Sequence, residues 1–180
     1  VSTLGTNATA SNNTVTSATS ATLTIGGSAT AVFGNGSNTN SGVITGAISL
    51  VKSGSGTQVL GDANTYTGTT LISAGTLQVG ASNTGTSGTG DVTVNGATAV
   101  LAGTGSVAAT TTSVILGTIK PGDSGGSSVG TLNTKNLEFT PVLSTTVTEL
   151  QIASSSSADL LNIVGNLSLN SFSNVFVNGS

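Results

Sequence analysis

Short runs of alternating apolar residues recur along this chain about every 8 to 14 positions, and turn-forming residues fill the gaps between them. The runs are Thr22–Ile25, Thr30–Phe33, Ile48–Val51, Gln58–Leu60, Thr69–Ile72, Thr76–Val79, Val92–Val94, Val100–Ala102, Val114–Leu116 and Thr118–Lys120. They continue as Leu137–Phe139, Val147–Ile152, Leu160–Val164, Leu167–Leu169 and Val175–Val177. A period of two sends successive side chains to opposite faces, as in a strand with one face buried. Helix signals are weak, because Gly, Ser, Thr, Val and Asn dominate and all are neutral to poor helix formers. The best helical window, Ser157–Val164, reads equally well as a strand. The expected fold class is all-β.

Many short strands at this spacing suit either a β-sandwich or a β-solenoid. Three features favour the solenoid. Aromatics are only 3% of the chain, whereas sandwich cores commonly lean on large rings. The apolar positions are mostly Val, Ile, Leu and Ala, which stack readily from coil to coil. Charged residues are only 5%, so Thr and Ser carry the surface, as suits layers repeating every ~4.8 Å where like charges would face one another. With about three strands per coil, each coil takes roughly 20 to 25 residues. Asn-Gly pairs at Asn95-Gly96 and Asn178-Gly179 each follow a Val-x-Val run; as turn signals they would also suit hairpins of an antiparallel sandwich.

With 180 residues the chain has enough length for one well-filled core, not two independent ones. Residues 1–20 read as an N-terminal strand or coil-capping segment and 21–180 as a single solenoid. Cys, His, Met, Trp and Arg are absent, which leaves neither a disulfide framework nor thiolate chemistry. Three lysines against a net charge of −3 cannot neutralise a run of phosphates, so nucleic acid is not an expected partner. No apolar run reaches the roughly 20 residues needed to span a bilayer. The chain starts at Val1 and contains no methionine, as expected of a processed product or a piece of a longer polypeptide.

The segment 50–80 carries the most specific signal. It runs Lys52, Gly54-x-Gly56-Thr57, a short apolar strand to Leu60, Asn64-Thr65-Tyr66-x-Gly68, Thr70, a second strand, and Ala74-Gly75-Thr76-Leu77. In that order and spacing it resembles the autotransporter-associated β-strand repeat found in passenger regions of large secreted bacterial surface proteins. Flanking stretches are similar to such passengers over roughly residues 20 to 170, among them Gly103-Thr-Gly-Ser-Val and Gly117-Thr-Ile-Lys-Pro-Gly122. The resemblance implies a right-handed parallel β-helix, a location on the bacterial outer surface or outside the cell, and no catalytic role for the repeat.

Read as physical chemistry, Gly54, Gly56, Gly68 and Gly75 fall between strand runs, where corners need positive φ or close backbone approach. Asp62 and Asn64 can close turns through side-chain hydrogen bonds to the backbone. Tyr66 suits an apolar corner with its hydroxyl in water, ahead of a ligand-stacking role. The acids Asp62, Asp91, Asp123, Glu138, Glu149 and Asp159 include no Asp-Asp or Asp-x-Asp pair of the kind glycoside hydrolysis or calcium binding would favour. No enzyme activity, cofactor or metal is expected.

The function expected is that of a structural or adhesive extracellular solenoid, a building block of a surface fibre or filament. A fragment of a monomeric adhesin passenger is one alternative. An ice- or glycan-binding solenoid is another, suggested by the Thr-x-Thr pairs Thr14/Thr16, Thr22/Thr24, Thr65/Thr67 and Thr146/Thr148, whose separations are irregular. The stretches Val1–Ser20 and Leu160–Ser180 carry no charge, leaving strand edges undefended, so end-to-end self-association is expected. A host or biofilm ligand is not specified by any motif. The expected core is Leu60, Leu71, Leu77, Val79, Val92, Val94, Val100, Val114, Leu116, Leu132, Leu137, Ile152, Ile163 and Leu167.

Overall fold

The computed structural model describes residues 13–34, 42–81, 84–123, 130–140, 149–150 and 159–170, and among them there is no helix. The strands are β1 (Asn13–Ile25), β2 (Ala31–Phe33), β3 (Gly42–Lys52), β4 (Thr57–Leu60), β5 (Thr65–Tyr66), β6 (Thr70–Ile72) and β7 (Gly75–Val79). They continue as β8 (Val92–Gly103), β9 (Thr111–Pro121), β10 (Thr131–Thr134), β11 (Asn136–Phe139), β12 (Glu149–Leu150), β13 (Leu160–Ile163) and β14 (Leu167–Leu169). Twelve of them join in one sheet, while β10 and β13 form a second. Every pairing between these strands is parallel. Hairpins pair antiparallel, so the sandwich alternative is overturned.

Parallel neighbours require the chain to travel a full circuit before it lies beside itself. Leu50 pairs with Thr70, Thr70 with Val92, and Val92 with Thr112, steps of 20, 22 and 20 residues. Outside these middle layers the steps lengthen: Ala21 to Ile48 is 27 and Leu137 to Leu167 is 30. The two longest middle strands bend round a corner. The first part of β8 pairs with β6 and its second part with β7, and β9 follows both parts of β8. Asn95-Gly96 thus lies inside a continuous strand rather than at a hairpin turn.

One side of each strand faces a common interior. Along β6's stack the inward column is Leu23, Leu50, Thr70, Val92, Thr112 and Leu137, with Ile25, Lys52, Ile72, Val94, Val114 and Phe139 beside it. Leu77 and Leu101 stack on the adjoining face above the buried Gln58, with Ile119 next in line. Of the expected core, Leu60, Leu77, Val79, Val92, Val94, Val114, Leu132 and Leu137 are buried. Ile163 is half-buried against the core, and Ile152 lies outside the described residues.

Four expected core residues are corrections. Leu71 points outward while Thr70 and Ile72 point in. Val100 and Leu116 are also only half-buried, because a corner resets the alternation: β9 buries Thr112 and Val114, then Gly117 and Ile119. In β8 the inward positions change likewise from Val92 and Val94 to Ala99 and Leu101. Leu167 occupies an inward column above Leu137 yet is 50% exposed, since among the described residues β14 pairs only with β11.

Candidate functional site

Lys52 is the last residue of β3, in phase with Ile48 and Leu50, and so its side chain enters the interior between Ile25 and Ile72. It is only 2% exposed. Its ammonium donates to the carbonyl of Gly54 in its own layer and to that of Ala74, 3.2 Å away, in the next. Burial holds this ammonium's pKa below the ordinary value of 10.5, since desolvation disfavours the charged form. An ammonium has three donors and no acceptor, which suits it to gathering carbonyls at a corner where no strand ladder can satisfy them.

Gly75 supplies that corner's shape. Its φ is +65°, a conformation that a Cβ disfavours, and an added methyl would overlap the carbonyl oxygens of Gly54 and Gly56. Gly54 is required for a different reason: a Cβ there would run into the backbone of Gly27 in the layer below. Gly56 accepts from the Thr76 amide at 3.1 Å and donates to Gly27 at 2.8 Å, and Gly68 donates to Ile48 at 3.0 Å. The motif's glycines therefore lie where successive layers touch. Thr76 points outward and is half-buried, whereas the next residue, Leu77, is fully buried.

Asn64 is a second clamp. Its Oδ1 accepts from the Ile44 amide at 2.8 Å, and its Nδ2 donates to the carbonyls of Asp62 and Thr86, each at 2.9 Å. A single buried amide thus ties three successive passes of the chain together. Asp62 reinforces it by accepting from the Gly42 amide at 2.6 Å. The expected turn-closing role extends, in the structure, to bonds across whole layers.

Tyr66 departs from expectation. Its hydroxyl is not in water: the residue is 0% exposed, and its OH shares a 2.8 Å hydrogen bond with the Thr70 hydroxyl. Burial raises the phenol's pKa above its ordinary 10.0, offset in part by the hydrogen bonds to Thr70 and to the backbone at Gly88. The ring faces no solvent on which a ligand could stack. Thr70, absent from the expected core, is the partner that makes this burial tolerable. The legible signal was its position in phase with Ile72.

The remaining polar groups act mainly as staples between layers. The Asp91 carboxylate accepts from the Thr111 amide, and the Asp159 carboxylate from the Gly130 amide, both at 3.0 Å. Among the described residues no group of three His, Cys, Asp or Glu side chains could hold a metal ion. A shallow hollow beside the Lys52 corner is lined by Ile25, Gly27, Ala31, Lys52, Thr57 and Gln58, and the Lys52 ammonium and Gln58 amide are already engaged by main-chain carbonyls. Thr16, Thr45 and Thr65 stack in register, with Thr65 donating to Thr45 at 3.0 Å. Thr24, by contrast, is followed on its column by Val51, Leu71, Thr93, Ser113 and Glu138, so that face carries no repeated threonine file. Thr146/Thr148 lies outside the described residues. No helix among the described residues is long and apolar enough to cross a membrane.

No curated protein and no solved structure matches the chain. One family does match, and it does so over the Lys52 corner, the Asn64 clamp and the Leu77 strand just described. Residues 50–79 match the model of the passenger-associated-transport-repeat, and the ordered motif from Lys52 to Leu77 is that repeat.

Proposed function

We propose that this chain is a non-catalytic, structural solenoid of a bacterial surface protein, right-handed with about three short strands per coil, exposed outside the cell as an adhesive or filament element. The observation that carries the reading is that the match at 50–79 sits within a continuous parallel stack, with its side chains spent on holding layers together. Repeats of this family belong to autotransporter passengers, which are extracellular. Lys52, Asn64 and Tyr66 are buried and bonded to the protein itself, which suits a scaffold rather than a reaction centre.

End-to-end self-association belongs to this proposal. Leu160, Leu167 and Leu169 are 55%, 50% and 42% exposed, and among the described residues β13 and β14 each pair on one edge only. Immunogold electron microscopy of native cells tests the location and form together. Label on rods or fibres outside the envelope is the expected result, and label confined to the cell interior overturns it. Sedimentation of the isolated chain over a concentration series tests association, which fails if the protein stays monomeric throughout.

A further inference from the structure

We propose that Asn95 is a site of spontaneous deamidation, placed where the stack both permits the reaction and absorbs its product. The corner that carries it is longer than its neighbours on both sides. Toward the preceding layer, Ile72 pairs with Val94 and Gly75 with Ala99, so four residues of β8 stand against two. Toward the following layer, Asn95 pairs with Leu116 and Val100 with Thr118, so four residues stand against Gly117 alone. Such an excess is a bulge in which Asn95 keeps a partner only in the following layer, while Ala97 and Thr98 have a partner in neither. Asn95, Ala97 and Thr98 are correspondingly exposed.

Deamidation needs the next residue's amide nitrogen to reach the asparagine side chain, and a following residue without a Cβ hinders that approach least. Here the next residue is Gly96. The Gly96 nitrogen gives its proton to water and attacks Cγ of Asn95. A carbon–nitrogen bond forms, and the side-chain nitrogen leaves as ammonia after taking up a proton. Water then opens the cyclic imide at either carbonyl, giving an aspartyl or isoaspartyl residue at position 95. No oxidant or other reactant is required.

Each conversion adds one negative charge to a chain whose net charge is −3. The isoaspartyl form also adds one atom to the main chain. The added atom falls between Val94 and Ala99, where four residues of β8 face two of the preceding layer, so that slack can take it up without moving either of those two paired residues. Asn64 provides the internal contrast: it is buried, held by three hydrogen bonds and followed by Thr65.

The test is timed incubation of the folded protein in mildly alkaline buffer at body temperature, with peptide mapping by mass spectrometry that separates aspartyl from isoaspartyl products. The same chain in urea gives the unprotected rate. Position 95 is expected to convert many times faster than Asn64, at a rate close to that in urea, and Asn95→Gln is expected to remove the product. The converted protein is expected to keep the melting temperature of the fresh one. Protection of Asn95 by folding as strong as that of Asn64 overturns the site, and a clear drop in melting temperature overturns the claim that the corner absorbs the change.

Discussion

Two adjacent apolar residues of β6, Leu71 and Ile72, give the sharpest test of which face of this chain is inside. Ile72 is 0% exposed and stacks between Lys52 and Val94, whereas Leu71 is half-buried on the outer column beside Val51 and Thr93. Truncating Ile72 to alanine removes three carbons from the interior, worth about 2.4 kcal/mol of transfer free energy at about 0.8 kcal/mol per carbon. The layers above and below are pinned by strand ladders, so the hole cannot fully collapse and the loss is expected to reach about 3–4 kcal/mol. Leu71→Ala removes as many carbons from a surface that is already partly wet, and costs roughly 1 kcal/mol including its cross-strand contacts. Urea unfolding of both variants, followed by far-UV circular dichroism, measures the difference through the transition midpoints. Because solenoid layers couple mainly to their neighbours, hydrogen exchange at the amides of β6 and β8 provides a local reading of the same quantity. A Leu71→Ala loss equal to or larger than the Ile72→Ala loss would show that β6 faces the other way, and the columns built on its register would fall with it.

Other substitutions probe separate parts of the stack. The Thr112 and Thr134 hydroxyls are buried without a hydrogen-bond partner, so Thr112→Val is expected to stabilise the protein by about 1 kcal/mol; a lower melting temperature would mean that the hydroxyl has a partner. Gly75→Ala forces a Cβ into a left-handed conformation and against two carbonyls, and is expected to cost at least about 2 kcal/mol in urea unfolding, so a neutral result contradicts the corner geometry. The pH dependence has a definite sign. Lys52 has its folded pKa below 10.5, so the unfolded chain holds more protons in the window between that lowered value and 10.5, and stability rises with pH there. Tyr66 acts oppositely: its folded pKa lies above 10.0, so its contribution is complete below 10.0 and is lost as pH climbs past it. Lys52 is therefore expected to make melting temperatures climb as pH nears 10.5, with Tyr66 opposing the climb above 10.0, and Lys52→Met should flatten the climb.

Much of this architecture could be read from the residues, and the failures have local causes. The existence of most strands follows from alternation, which is a property of the chain itself. Alternation does not say which phase is inward when both phases are apolar, as in Ala99-Val100-Leu101-Ala102, or when a threonine takes the inward place, as at Thr70. Nor does it survive a corner, and that is why alternation puts Leu116 inside while the residue lies half outside. Lys52 stands out in the sequence as part of a motif, but a lysine in an aliphatic column runs against the rule that charges stay in water. The signal that would have placed it is its even spacing from Ile48 and Leu50. A local window shows Asn64 only as a turn-closing residue, and its bonds to Ile44 and Thr86 depend on which passes of the chain become neighbours, information that no such window holds.

The burial of Tyr66 also determines how this protein looks to light. It is the sole tyrosine, and the chain has no tryptophan, so near-ultraviolet emission originates almost entirely from one ring inside the repeat. That ring is fixed against Thr70, in a layer that Asn64 ties to both neighbours. Emission from the unaltered protein consequently reports on the centre of the stack and is nearly blind to its ends. A chain fraying at β13 and β14 would change its backbone signal while its fluorescence stayed constant, so the two signals, recorded together, locate where along the solenoid a disturbance begins.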